Sequence, residues 1–236
     1  MKLHKLAGFV CALAAVAAAS PITFDFTSSG GTTGGGSPFG NTRTYTNGPY
    51  SVTVSAFSLP GNLTGNFSTG QLGQFSGLGL GVCNQNEGSN CSSPEHQVDN
   101  HVSQDFVLFS FNTVVDPASI VINPYGTWDR DVSYWIGNTS TNLSTIGLAG
   151  LSGAGFGSRI DDDSTVSSNA RTVTLGGGNG NALLFAARLN NPDDYLDYFK
   201  IESLAVNSAV PEPATFGLAG LALVGLGLLP KGVRKS

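Results

Sequence analysis

From residue 20 to residue 210 the chain never holds apolar residues at a sustained 3.6-residue spacing. Short runs rich in β-branched and aromatic residues recur instead, cut apart by Gly, Asn, Ser and Pro. Such a chain has no long amphipathic helix to build with, and it predicts an all-β domain. The runs fall at 22–27, 50–57, 78–83, 105–113, 119–123, 132–136, 172–175, 183–189 and 198–206. In the fourth, Phe106 and Leu108 alternate with Val107, Phe109 and Phe111. Both faces are apolar, so this strand is expected to be central. In the last, Phe199, Ile201, Leu204 and Val206 should feed the core. The alternation slips once between Ile201 and Leu204, as at a β-bulge. Many short strands with turn punctuation predict a two-sheet β-sandwich, jelly-roll-like in topology. The glycine-rich stretches 30–37, 147–157 and 176–180 read as mobile or flexible connections. None has a phosphate-binding frame.

The two ends are of another kind. Lys2 and Lys5 precede an Ala-rich apolar run that closes in Ala17-Ala18-Ala19. This is the pattern of a secretory signal peptide over 1–19, cut before Ser20 by a signal peptidase. Cys11 lies inside it and is expected to be discarded. At the other end, residues 214–229 carry no charge, and Lys231, Arg234 and Lys235 follow at once. Sixteen helical residues reach about 24 Å at about 1.5 Å each. That is short against a hydrocarbon core of about 30 Å. Snorkelling of the Lys231 and Arg234 stems extends the reach. The basic cluster fits the cytoplasmic side. A single membrane span over about 214–230 is expected. A buried helix of the globule is the competing reading; the uniform faces and the closing charges disfavour it.

Val210-Pro211-Glu212-Pro213-Ala214-Thr215, a Gly/Leu-rich span and a basic end together resemble the PEP-CTERM sorting signal of Gram-negative bacterial surface proteins. The resemblance implies sorting by an exosortase, a membrane-embedded protease-transpeptidase. Pro211, Glu212 and Pro213 would be its recognition element. It implies a membrane-anchored precursor of a cell-surface or extracellular protein, divided as 1–19, a β domain over 20–207, and a sorting segment over 208–236.

The exported part carries six basic and fifteen acidic residues, a net charge of −9. Nucleic acid and anionic lipid are unsuited to such a surface. Divalent cations and neutral exopolysaccharide are not. Cys83 and Cys91 are its only thiols. An oxidising compartment favours a disulfide between them, closing a polar turn. Two thiols alone are too few for a structural metal site.

Catalysis has little to stand on. After the signal peptide leaves, His96 and His101 are the only histidines, and no Gly-x-Ser-x-Gly elbow occurs. No enzyme is expected; a Ser/His/Asp hydrolase with distant partners stays open. The segment His96-Gln97-Val98-Asp99-Asn100, the apolar strand after it and Trp128-Asp129-Arg130-Asp131 resemble the middle of exosortase-dependent surface proteins. That likeness implies a recurring extracellular domain and no activity. Three acidic groups stand out: Asp129 with Asp131, Asp161 to Asp163, and Asp193, Asp194 and Asp197. Calcium takes oxygen ligands from such loops. Asp99, Asp129 and Asp131 are the candidate ligands, and Ca²⁺ the one cofactor considered. Solvated turn residues paired with Arg130 or another arginine are the other reading. Tyr125, Trp128, Tyr134 and Trp135 could stack on sugar rings, although alternation puts Tyr134 and Trp135 on opposite faces, at least one of them in the core. A calcium-dependent carbohydrate-binding module therefore stands beside a purely structural or interaction role. The sequons at Asn62, Asn66, Asn138 and Asn142 read as turns.

Overall fold

The computed structural model describes residues 21–28, 30–35, 38–88 and 96–209. The expected signal peptide, Cys91, the sorting motif and the closing basic residues lie outside the described residues. Among the described residues no helix is long and apolar enough to cross a membrane.

The chain is nearly all-β, as its patterning dictates. In order the strands are β1 (Ile22–Asp25), β2 (Thr32–Gly35), β3 (Asn41–Asn47), β4 (Tyr50–Pro60), β5 (Ser68–Thr69), β6 (Gln71–Phe75), β7 (Gly79–Cys83), β8 (Val98–Asp99), β9 (Ser103–Asn123), β10 (Val132–Gly137), β11 (Ile160–Asp162), β12 (Arg171–Thr174), β13 (Gly180–Ala187) and β14 (Tyr198–Ser208). All join one large sheet, and every named strand pairing is antiparallel.

β9 is the spine. Its first half, through Phe111, lies between β4 and β13; its second half, from Val115, lies between β14 and β12. The strand changes partners between these halves, with a register shift against β13 between Gly180 and Ala182. Val115 lies opposite Ser208 at the end of β14, whereas Asn123 lies opposite Lys200 near its start. The exposed stretch between the halves is pinned by Asn112, whose amide donates to Pro49 O (3.0 Å) and accepts from Ser51 N–H (2.9 Å). Two separate runs, 105–113 and 119–123, are thus one strand. Asp116-Pro117 hides the continuity, because proline brings no ladder donor. A register shift opposite Ala205 and Val206 absorbs it. The slip expected between Ile201 and Leu204 is present as a second shift, between Ile201 and Ser203.

Two apolar clusters flank the first half of β9. The larger holds Val107, Phe109 and Phe111 with residues of β1, β13 and β14; Phe26 stacks on Phe109 (5.8 Å) and Phe185 meets Phe199 edge-on (5.9 Å). The smaller holds Phe106 and Leu108 with Trp135, Leu151 and Phe156. Apolar residues on both faces of the strand thus have a core on each side. Tyr134 belongs to the larger cluster and Trp135 to the smaller, so both are core. The glycine-rich stretch 147–157 is a cover for the second core and not a free connection. Its chain approaches so closely that a Cβ on Gly155 (φ +98°) would lie 2.3 Å from Asn138 O. The stretch 30–37 likewise contains β2, paired with β3. Asn41 links the edges of β3 and β6 by exchanging two hydrogen bonds with the Leu72 backbone (2.7 and 2.8 Å).

Candidate functional site

The site lies where β14 begins. Asp197 stands just before the strand, and its backbone bridges to Asp129. Tyr198 N–H donates to Asp129 O (3.2 Å), and Asp131 N–H donates to Asp197 Oδ1 (2.7 Å). Asn100 holds the same carboxylate through Nδ2 (2.7 Å) and accepts the Asp197 N–H (3.0 Å). This lattice brings Asp129 and Asp131 together with Asp193: one carboxylate oxygen of each lies within 4.8 Å of the others. Asp129 and Asp131 are 2% and 3% exposed, while Asp193 is open to solvent.

The arginines nearby are engaged elsewhere. Arg171 pairs with Asp162 (2.7 Å), and Arg188 bridges Asp161 (2.9 Å) and Asp163 (2.8 Å). Arg130 reaches the Asn169 and Thr165 carbonyls (2.9 Å each). Among the described residues no arginine pairs with Asp129, Asp131 or Asp193, which is the reverse of the arginine-paired reading. Asp129 Oδ1 accepts from Arg130 N–H (2.8 Å), and Asp131 Oδ1 from Ser164 N–H. Burial foremost, then the neighbouring carboxyls, raise the pKa values of both. The donor set is all oxygen, which suits a hard cation such as calcium.

Asp99 stands in a different group. Its Oδ1 accepts from His101 N–H (2.9 Å), and its electrostatic neighbours are Asp105 and Glu87. Asp105 is wholly buried, held by Asn84 Nδ2 (3.2 Å), and its Oδ2 has no hydrogen-bond partner. Burial above all pushes Asp99 up to about 7 and Asp105 well above the carboxylate range. Both acids are ionised in the unfolded chain above about pH 4. In the folded chain Asp99 keeps its proton to about 7, and burial holds the Asp105 proton to well above the usual carboxylate range. Between those limits the unfolded chain binds fewer protons. The stability they contribute is therefore complete below about pH 4 and is lost as pH rises through the raised folded values, about 7 for Asp99. Thermal melts in chelator should show a midpoint that falls from pH 5 to pH 8. Asp105→Asn should flatten that fall and raise the midpoint at pH 8; an unchanged slope would place the titration elsewhere.

Around the carboxylates, Trp128 (40% exposed) packs its ring on Tyr198 at 4.5 Å, and Tyr125 is 45% exposed. Cys83 is buried beside a tight turn in which Glu87 N–H donates to Asn84 O (3.1 Å) and Asn84 N–H to Glu87 Oε2 (2.9 Å). Two of the sequons are turn devices: Asn62 accepts from Thr64, and Asn142 caps a 3-10 turn through Ser144 N–H. Asp193 and Asp197 in the site, and Asp105 in the group around Asp99, are residues that the sequence does not single out as ligands. Asp193 and Asp197 are visible there only as an acidic cluster, and Asp105 reads as the edge of an apolar strand.

A family model of the PEP-CTERM protein-sorting motif matches residues 209–231. The match takes in Pro211, Glu212 and Pro213 and begins directly after β14 ends. The motif implies an exported, membrane-anchored precursor that an exosortase sorts to the surface. No curated protein and no solved structure matches the chain.

Proposed function

We propose that this chain, as the bearer of a PEP-CTERM sorting motif, is a surface or matrix protein whose β domain is carried across the inner membrane and then released from its tail. The motif match directly behind β14 carries this reading. A signal peptide over 1–19 starts export. The apolar run 214–229 holds the precursor in lipid, and Lys231, Arg234 and Lys235 stop it on the cytoplasmic side. Pro211 and Pro213 keep the recognition peptide extended ahead of the helix. The fold supports the route, because Ile22 lies opposite Val206 and Ser208 opposite Val115. Both ends of the domain thus leave from one pole. The carboxylates sit at the far end of β14, about 36 Å away for eleven residues at about 3.3 Å. In this reading that pole faces envelope or exopolysaccharide, and the domain acts by binding and not by catalysis. The halves of the sheet face each other as layers of a jelly-roll-like sandwich, a reading supported by the Phe26–Phe109 and Phe185–Phe199 contacts. Cys83 and Cys91 close the polar tip as a disulfide, supported by the turn at Asn84 and Glu87. In a host lacking its exosortase the full-length chain should stay in the inner membrane; continued appearance of a tail-free form would overturn the route.

The convergence of Asp129, Asp131 and Asp193 favours a second reading, a calcium-dependent carbohydrate-binding module. Extracellular calcium modules bind with Kd of about 10⁻⁴–10⁻³ M. At the tight end, about 10 mM calcium adds about 2.7 kcal/mol to stability. For a domain of this size that raises Tm by about 5–10 °C. Asp131→Asn should abolish most of the rise, and an identical rise in that variant would remove Asp131 from the site. A glycan array read with and without chelator separates this reading from a purely structural role.

A further inference from the structure

We infer that a cavity beside the carboxylates, lined by carboxamides, binds a single neutral sugar residue independently of any metal. The cavity holds about 230 Å³ between the loops around Leu63, Asn100, Gln104, Arg188, Asn190 and Asn191. Pockets for drug-sized ligands begin at about 300 Å³. This one therefore takes a ligand of about one pyranose ring.

Its polar groups match hydroxyls. A carboxamide both donates and accepts, as a sugar hydroxyl does. Asn100 is committed to the fold, since its amide serves Asp197 and Arg188 O. The other three have capacity left. Gln104 Nε2 donates to Ala187 O (2.8 Å), which fixes the amide and leaves Oε1 as an acceptor. Asn190 and Asn191 make no side-chain hydrogen bond among the described residues, and Asn191 Oδ1 is a buried acceptor with no partner. Burying such an atom costs free energy unless a donor is supplied. Asn191 lines the cavity, and the terminal torsion of asparagine is broad, so its amide can rotate to meet a donor there.

The backbone around the cavity is strained as well. Leu63 (φ 59°), Asn190 (φ 68°) and Asn191 (φ 36°) all line it in left-handed conformations. Val102, whose carbonyl accepts the Gly61 N–H (3.1 Å), has φ 63°. Leucine and valine seldom adopt that region, and such outliers gather at binding sites. Charge sets the ligand class. Arg188 is already matched by Asp161 and Asp163, and it donates to Leu189 O (3.1 Å). No positive charge is left over for an anion, and Asp197 stands next to Asn100. The occupant is neutral.

The test uses the full chain in lipid nanodiscs, titrated calorimetrically in chelator with methyl glucoside, methyl galactoside, methyl mannoside and glucuronate. At least one neutral methyl glycoside should saturate the site, with glucuronate weaker by about tenfold or more. The double change Asn190→Gly, Asn191→Gly removes both amides while glycine keeps the positive φ. It should leave the melting midpoint close to that of the native chain and weaken sugar binding by about tenfold or more, which corresponds to about one or two net hydrogen bonds. No binding of any neutral glycoside up to about 50 mM would overturn the inference, since that lies well above the Kd of a built site. So would binding that appears only when calcium replaces the chelator, glucuronate binding as tightly as the neutral sugars, or unchanged affinity in the double variant.

Discussion

Changing Glu212 and Pro213 together to alanine is expected to leave the whole chain at full length in the inner membrane, with no tail-free form at the surface or in the medium. The expectation follows from what each part of the tail can do. Residues 214–229 carry no polar group beyond one threonine, so lipid burial depends on them and not on the Pro-Glu-Pro peptide. The double variant should therefore insert as the native precursor does. It lacks the only charge between Lys200 and Lys231 apart from Glu202, and one of the two prolines of the motif. Recognition is lost and anchoring is kept. Immunoblots of membrane, surface and medium fractions read the outcome directly. Processing at the native rate would show that Glu212 and Pro213 are not what the exosortase reads.

Phe109→Ala should destabilise the β domain by about 3–5 kcal/mol, the range for removing a buried phenylalanine. Phe109 is completely buried, lies opposite both Leu183 of β13 and Val54 of β4, and stacks on Phe26, whose ring in turn meets Tyr45 edge-on at 4.8 Å. The cavity would open where the spine meets the segment that follows β1. The corresponding fall in Tm is about 6–20 °C for a domain of this size. Val114, exposed where the same strand changes partners, is the control: Val114→Thr should stay within about 0.5 kcal/mol. Equal melting curves for the two variants would contradict a core built around the first half of β9.

What the sequence reveals, and what it hides, divides by the range of the interactions. Alternation within a strand is local, so the apolar faces of 105–111 and the slip after Ile201 are legible in the residues alone. Polar strands are not: β3, Asn41–Asn47, has a single buried residue, Tyr45, and its place depends on pairing with β4 and on the Asn41 link to Leu72. β2 is made of Thr and Gly, and its ladder to β3 leaves no trace in hydropathy. For the site, Asp129 and Asp131 share one side of a short segment, so their partnership can be read from spacing. Asp193 joins them from more than sixty residues away, because Asp197 is tied to Asp129 and Asp131 through the backbone. Asp99 stands out in the sequence for its polar neighbourhood. The pairing of β8 with the start of β14 sets it beside Asp105 instead. The glycine-rich cover at 147–157 escapes for the opposite reason: Gly155 and Gly147 serve close approach to the Asn138 and Gly65 backbone, and composition alone reads them as freedom.

Intact-mass and C-terminal peptide analysis of the protein recovered from the cell surface tests the central claim most directly. The expected chain starts near Ser20, ends within the 210–213 peptide and lacks residues 214–236. Recovery at the surface of a chain that still ends at Ser236 would contradict it.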